Sequence, residues 1–299
     1  MISIVIPTYN RFDIIQETLD NIMHLQSVAA FEIIVVNDGN PLPFEIKHSD
    51  VSIYKNPKRG AASARNFGAS KAKYEVLFFI DDDMWITKES IDSLQSLYEN
   101  HFFQRSCVVL NWEYPADLQE KMKSEKIGRY LLSANYHTLE GRAKINVDHR
   151  QLLFKVTSIG SGSFAISKNV FNEIGGYNEN ITFQGEDIEL SQALNRLGIS
   201  IFLYTPVTCL HNQKDRLDLN GLLDRERRGY ESQFKNNRTS AKINKIKLLV
   251  FICLMPLEHI IEWLFQKVPN TPTFDRLNFR LTGILTSIVY YKAWWQSKP

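Results

Sequence analysis

Three short apolar runs, residues 2–6, 32–36 and 74–80, each stop abruptly at a polar cluster. The clusters are Pro7-Thr8-Tyr9-Asn10, Asn37-Asp38-Gly39-Asn40 and Asp81-Asp82-Asp83. Between the first two runs, Ile14, Ile15, Leu19, Ile22 and Met23 recur at helical spacing, with Asn10 placed to cap that helix and Asp13 in its first turn. A shorter strand over residues 51–54 and a small-residue helix over 60–73 fill the second gap. Strand and helix alternating through short connections specify an α/β fold with a mostly parallel sheet and right-handed crossovers. Such sheets bind ligands at the carboxyl ends of their strands, where the polar clusters of this chain fall.

Further along, helices are expected over 90–100 and 186–197 and strands over 107–112 and 199–204. Residues 156–167 are rich in Gly and Ser and are read as lining a site, whereas 113–155 are polar without a readable period. The 299-residue chain carries a net charge of +2, but residues 1–212 sum to −5 and residues 213–299 to +7. That change places a boundary near His211. It divides a body (1–212, with halves 1–103 and 104–212) from a basic, amphipathic helical tail (213–299). A hydrophobic fraction of 44% and a charged fraction of 23% exclude a disordered chain. The small net charge argues against nucleic acid as a partner. Cys107, Cys209 and Cys253 are far apart and form no Cys-x-x-Cys pair, which points to a reducing compartment. No basic leader precedes the first strand, and the longest strongly apolar run, 248–257, is half of the ~20 residues a spanning helix needs. The expected location is therefore cytoplasmic, or peripheral on the cytoplasmic face of a membrane.

Asp81-Asp82-Asp83 carries the strongest chemical signal. Adjacent carboxylates at the end of an apolar strand repel one another unless a cation relieves them, and an oxygen-rich site of this kind suits Mg2+ or Mn2+. The plainer reading is a solvated acidic turn. Asp38 is placed either to read a base or ribose or simply to form its turn. Lys58-Arg59-Gly60, with Ser63, Arg65 and Asn66, puts cations at a helix start that can hold a phosphate or sugar, or forms a solvated basic turn. Gly185-Glu186-Asp187, after Phe183-Gln184, sets two carboxylates at a helix start. There they cap the helix, or one of them serves as a general base. His211, taken alone, reads as structural.

The order of these motifs strongly resembles family 2 glycosyltransferases of the GT-A fold. The resemblance rests on Ile4-Val5-Ile6-Pro7-Thr8-Tyr9-Asn10-Arg11, Ile34-Val35-Val36-Asn37-Asp38-Gly39, Gly60-Ala61-Ala62-Ser63-Ala64-Arg65-Asn66 and Phe79-Ile80-Asp81-Asp82-Asp83. It continues through Gly160-Ser161-Gly162-Ser163-Phe164-Ala165-Ile166, Ile174-Gly175-Gly176-Tyr177-Asn178-Glu179 and Gly185-Glu186-Asp187. It implies an inverting sugar transfer from a nucleoside diphosphate sugar, usually a UDP-sugar, to a glycan or lipid-linked acceptor. Thr8, Tyr9, Arg11, Asp38, Arg65, Asp81 and Asp82 would hold the nucleotide sugar. Asp83, Asp81 and His211 would hold Mn2+ or Mg2+, with Asp187 as catalytic base and Glu186 orienting the acceptor.

Departures from the family pattern narrow this. Processive synthases carry Gln-x-x-Arg-Trp and several spanning helices, whereas this chain has Gln213-Lys214-Asp215-Arg216-Leu217, so one sugar per encounter is expected. A nucleotidyltransferase would need a Gly-rich, basic phosphate loop after the first strand, and a non-catalytic relative would be expected to lose the carboxylates. A dinucleotide enzyme would need G-x-G-x-x-G. In the tail, Arg225, Arg227, Arg228, Lys235, Arg238, Lys242, Lys245 and Lys247 precede apolar and Trp-rich segments. Residues 243–299 read either as in-plane membrane helices or as a subdomain that packs on the body or forms a homodimer.

Overall fold

The computed structural model describes residues 1–44, 46, 48–160, 162–181, 185–235 and 245–297. Ser161, Phe183 and Gln184, and the tail positions Arg238 and Lys242, lie outside them. The chain divides into two units. The first comprises Met1–Glu113, Ala143–Thr182 and Glu186–Asn212; the second comprises Tyr114–Arg142, Phe183–Gly185 and Gln213–Pro299.

The first unit is built on one sheet whose strands are β1 (Ile2–Thr8), β2 (Phe31–Asn37), β3 (Val51–Lys55), β4 (Val76–Ile80), β5 (Met84–Trp85), β6 (Ser106–Glu113), β7 (Leu153–Val156), β8 (Ser163–Ser167) and β9 (Ser200–His211). Their order is β3-β2-β1-β4-β8-β6-β9-β5, with β7 also paired to β9. β3, β2, β1 and β4 run parallel; the continuous apolar runs of β1, β2 and β4 are buried on both faces, whereas β3, at the edge of the sheet, is partly exposed. β8 then enters antiparallel between β4 and β6, while β6 and β9 pair in parallel.

Helix α1 (Phe12–Met23) buries Ile14, Ile15, Leu19 and Ile22. The expectation that Asn10 caps α1 is corrected: Arg11 occupies the cap position and its side chain makes no capping bond to the helix. Asn10 instead adopts φ 53°, and its amide oxygen accepts a hydrogen bond from Asn40 N at 2.8 Å, tying the ends of β1 and β2 together. Helix α2 (Ala61–Lys71) begins at Gly60, whose φ of 125° favours glycine. It packs so closely on β1 that a Cβ at Gly68 would stand 2.4 Å from Val5 Cγ1. Helix α3 (Lys88–Glu99) opens with a reciprocal cap between Thr87 and Ser90.

Three helices occupy the stretch that lacked a readable period: α4 (Ala116–Ser124), α5 (Lys126–Ser133) and α6 (Leu139–Ala143). Each offers only one to three buried positions, too few to register as periodicity. Helices α7 (Lys168–Glu173) and α8 (Glu186–Arg196) complete the first unit.

The second unit adds α9 (Leu219–Lys235), α10 (Lys245–Leu254), α11 (Glu258–Lys267) and α12 (Asp275–Gln296). Its centre is α12, with Leu281, Leu285, Ile288, Val289 and Tyr291 buried. Arg129 of α5 grips Asp275 at the start of α12 through its Nε, at 2.8 and 2.9 Å. Lys247–Lys267 is helical over 21 residues and its most apolar 18-residue window has a mean hydropathy of 1.9, long and apolar enough to cross a membrane by length and composition. The apolar run read from the sequence, 248–257, contains Pro256 and stops at Leu257, before Glu258. The chain carries that proline in the first turn of a 3-10 segment, Met255–Leu257, where its missing N–H costs nothing, and runs on into α11.

Candidate functional site

Because β1, β2 and β4 are parallel, Thr8, Asp38 and Asp81 arrive at one edge of the sheet. Pairing of Met84 with His211 brings the end of β9 to the same place. Asp82 turns inward. Thr8 Oγ1 donates to its Oδ2 at 2.8 Å, Arg11 pairs with its other oxygen, and Thr18 Oγ1 donates to its carbonyl at 2.7 Å. Burial pushes the Asp82 carboxyl up to about 6; Arg11 opposes the shift and neighbouring Asp83 reinforces it.

Asp83 is 1% exposed. Its Oδ2 lies 2.9 Å from an Arg11 terminal nitrogen, and its Oδ1 lies 3.1 Å from His211 Nε2. Trp112 meets the His211 ring edge-on, with centroids 4.7 Å apart, and Asn212 N donates to the Asp83 carbonyl at 2.7 Å. The imidazole is thereby fixed against the carboxylate.

Arg65, 3% exposed, joins two ends of the site. One terminal nitrogen donates to Asp81 Oδ1 at 2.7 Å and the other to Glu186 Oε1 at 3.0 Å, while its guanidinium lies 5.4 Å from the Tyr177 ring centroid. Burial disfavours its charge, yet Asp81, Glu186 and Asp187 outweigh that and raise its pKa. The mutual repulsion of the three adjacent aspartates is thus relieved by two arginines, Arg11 and Arg65.

Asp38 braces the start of α2: its oxygens accept from Asn56 Nδ2 at 2.6 Å and Gly60 N at 3.0 Å. Tyr9 is 44% exposed beside Arg59, whose terminal nitrogen donates to the phenol oxygen at 3.1 Å. Asn66 clamps the following loop to α2, accepting from Tyr177 N at 2.8 Å and donating to Glu179 at 3.1 Å. Gly176 there has φ 70°, and a Cβ would stand 2.7 Å from the Asn66 amide oxygen. Gly185, with φ 91°, turns the chain into α8, and Glu186 and Asp187 form its first turn. Ser191 Oγ links α8 to the loop before β8, accepting from Ile159 N at 2.9 Å.

The structure therefore gathers Thr8, Arg11, Arg65, Asp81, Asp82, Asp83, Glu186 and His211 into one connected group. Asp187 follows on α8, and Tyr9 and Asp38 stand with partners of their own. The pairing of Arg11 with Asp82 and Asp83 went unread in the sequence, 71 residues separating Arg11 from Asp82. The signal was its place just after β1, the strand beside β4. Among the described residues no three His, Cys, Asp or Glu side chains surround a common cation position. Asp83 and His211 supply two donors side by side, an oxygen and an imidazole nitrogen, a set that suits a divalent ion with substrate oxygens completing its shell.

A mixed sheet of this order flanked by helices, with carboxylates at the end of β4, has the GT-A fold of the glycosyltransferases it resembles among solved structures. The chain belongs to glycosyl transferase family 2, whose pattern it matches over residues 3–175. It is similar to an uncharacterised glycosyltransferase of Rickettsia bellii, 30% identical over 147 residues, covering 47% of this chain and 19% of the relative. It is also similar to the hyaluronan synthase of Pasteurella multocida, 23% identical over 222 residues, covering 66% and 23%. The chain thus spans under a quarter of the length of these relatives. Among solved structures it resembles a mannosyltransferase of Pyrobaculum calidifontis in complex with GDP-Man and Mn2+ (TM-score 0.57, 13% identity, 99% and 88% covered). It likewise resembles TarS of S. aureus (TM-score 0.51, 14% identity, 99% and 55% covered).

Proposed function

We propose that this enzyme transfers one sugar per encounter from a nucleoside diphosphate sugar, with UDP as the nucleotide. The acceptor is a hydroxyl of a glycan or lipid-linked sugar, in cell-surface polysaccharide or glycoconjugate synthesis, and the anomeric carbon inverts. The observation that carries this reading is the 3.1 Å approach of His211 to Asp83 beside the Asp81–Arg65–Glu186 bridge. It sets a donor pair for a cation and a carboxylate-bearing helix start at the same strand ends.

Thr8, Tyr9, Arg11, Asp38 and Asp82 form the nucleotide side. The half-exposed Tyr9 ring offers a stacking face for a base, and Asp38 a carboxylate for its N–H groups. Asp83 and His211, with Asp81 at the strand end, are assigned to Mn2+ or Mg2+. When bound, such an ion stabilises the negative charge that develops on the departing diphosphate. Asp187 is assigned as base, taking the proton of the attacking acceptor hydroxyl, with Glu186 holding the acceptor in line. A single displacement with one base requires no covalent nucleophile, hence inversion. The three cysteines are free thiols, in keeping with a cytoplasmic location.

Incubation with UDP-sugars and a screen of glycan acceptors tests the reading. The wild-type protein is expected to release UDP, and Asp187→Asn to bind UDP normally while losing transfer by ~100-fold or more. Full transfer by Asp187→Asn would remove the base assignment.

A further inference from the structure

The helical stretch Lys247–Lys267 carries two apolar faces within the second unit. One is packed: Phe251 stacks on Tyr291 with centroids 4.9 Å apart, and Ile261 and Phe265 are 8% and 6% exposed. The other is bare. Leu249, Val250, Cys253, Leu257, Ile260, Trp263 and Leu264 each have another member of the set three or four residues away, the period of a single helical stripe, and all are exposed. Leu249 is 65% and Trp263 54% exposed, and only 17% of the most apolar window is buried. Exposed Lys247 and Lys267 flank the two ends, Lys267 lying 5.9 Å from the Trp263 ring centroid.

Length and hydropathy alone would let this stretch span a bilayer, but its centre argues otherwise. Glu258 and His259 sit at the midpoint with Glu262 a turn further, and the His259 side chain is 93% exposed. Glu258 is paired with Lys292 of α12. Carboxylates at the middle of the hydrocarbon are among the costliest placements in a membrane. Lying in the plane, the same stretch sinks only the bare stripe and leaves His259 and Glu262 off it. The tail's excess of +7 supplies the attraction to an anionic surface.

We infer that Leu249, Val250, Leu257, Ile260, Trp263 and Leu264 dock the enzyme in-plane on an anionic phospholipid surface. This inference is independent of the chemistry at the sheet, and its test is separate from any transfer assay.

The full chain is mixed with vesicles of phosphatidylcholine alone or with phosphatidylglycerol and sedimented. A fluorophore on Cys253, the one exposed thiol, reads entry into the interface. Expected results are co-sedimentation that needs phosphatidylglycerol, weakens with salt and is accompanied by a blue-shifted fluorophore. The double variant Ile260→Ser, Trp263→Ser, altered only at exposed positions, should bind at least tenfold more weakly while keeping its helical content. Equal binding by that variant, or no binding by the wild type, would overturn the inference. So would a dimer in solution, lost in the same variant, with no vesicle binding, because the stripe would then belong to a second copy. Retention of the protein in alkaline-washed vesicles would overturn the in-plane geometry.

Discussion

Arg65 and Glu186 form a buried ion pair, with a nitrogen-to-oxygen distance of 3.0 Å, between residues 121 positions apart. The other arm of the same guanidinium holds Asp81 at 2.7 Å. One planar, five-donor group therefore fixes the distance between the end of β4 and the start of α8, which a lysine ammonium cannot do for two carboxylates at once. Arg65→Ala leaves Glu186 buried without its cation and is expected to cost about 3–5 kcal/mol in urea unfolding. Arg65→Lys should recover part of that stability while transfer stays well below wild type. Wild-type transfer by the lysine variant would show that the bridge does not position the site.

His211 should matter through the cation rather than through the fold. His211→Ala is expected to weaken Mn2+ binding in the presence of UDP by at least about 10-fold, since loss of even an outer-shell partner typically costs 10–100-fold. Electron paramagnetic resonance of free against bound Mn2+ reads this directly. Unchanged Mn2+ affinity would remove His211 from the site and leave it as a packing partner of Trp112.

Gly176 is predicted to resist substitution. Its φ of 70° and the 2.7 Å that would separate an alanine Cβ from the Asn66 amide oxygen mean that Gly176→Ala introduces strain and displaces the clamp. A loss of about 1–3 kcal/mol is expected from thermal unfolding. A change within a few tenths of a kcal/mol would mean that the loop relaxes without cost.

The thiols predict an alkaline limit to stability. Burial pushes Cys209 from the ordinary 9.0 up to about 12, and Cys107 upward as well. Both contribute stability fully below about pH 9. It is lost as pH rises from there toward 12, because the unfolded chain ionises first. Each such thiol removes about 1.4 kcal/mol per pH unit in that window. Urea midpoints measured across it should fall less steeply for Cys209→Ala than for wild type, and identical slopes would refute the assignment. With Ellman's reagent at neutral pH, Cys253 alone should react in the native protein.

What the sequence disclosed follows from where its signals are local. β1, β2 and β4 were legible because continuous β-branched runs buried on both faces cannot be mistaken for surface segments. β9 was read only over 199–204, whereas it runs on to His211. Its partner register shifts between Leu110 and Asn111, so Thr205, Pro206 and Val207 interrupt the pattern before pairing resumes at Thr208. The residues alone therefore did not show that the strand runs on to His211; its place beside Asp83 was implied only by the family resemblance. Each candidate residue could be picked out by type, but charge balance could not. The strain among Asp81, Asp82 and Asp83 is resolved by Arg11 and Arg65, and only the folded β1–β4 and α2–β4 neighbourhood brings these cations in. Asn10 illustrates the same limit: a good cap by residue type, it turns left-handed and is taken by Asn40 instead.

Calorimetric titration of the purified chain with UDP, with and without Mn2+ and with GDP and dTDP as comparisons, tests whether the strand ends hold a nucleotide and a cation together. One UDP site per chain is expected, which requires Mn2+, discriminates against GDP and dTDP, and disappears in Asp83→Ala. Equal UDP affinity in the presence of a chelator, or no binding of any nucleotide with the ion present, would contradict it.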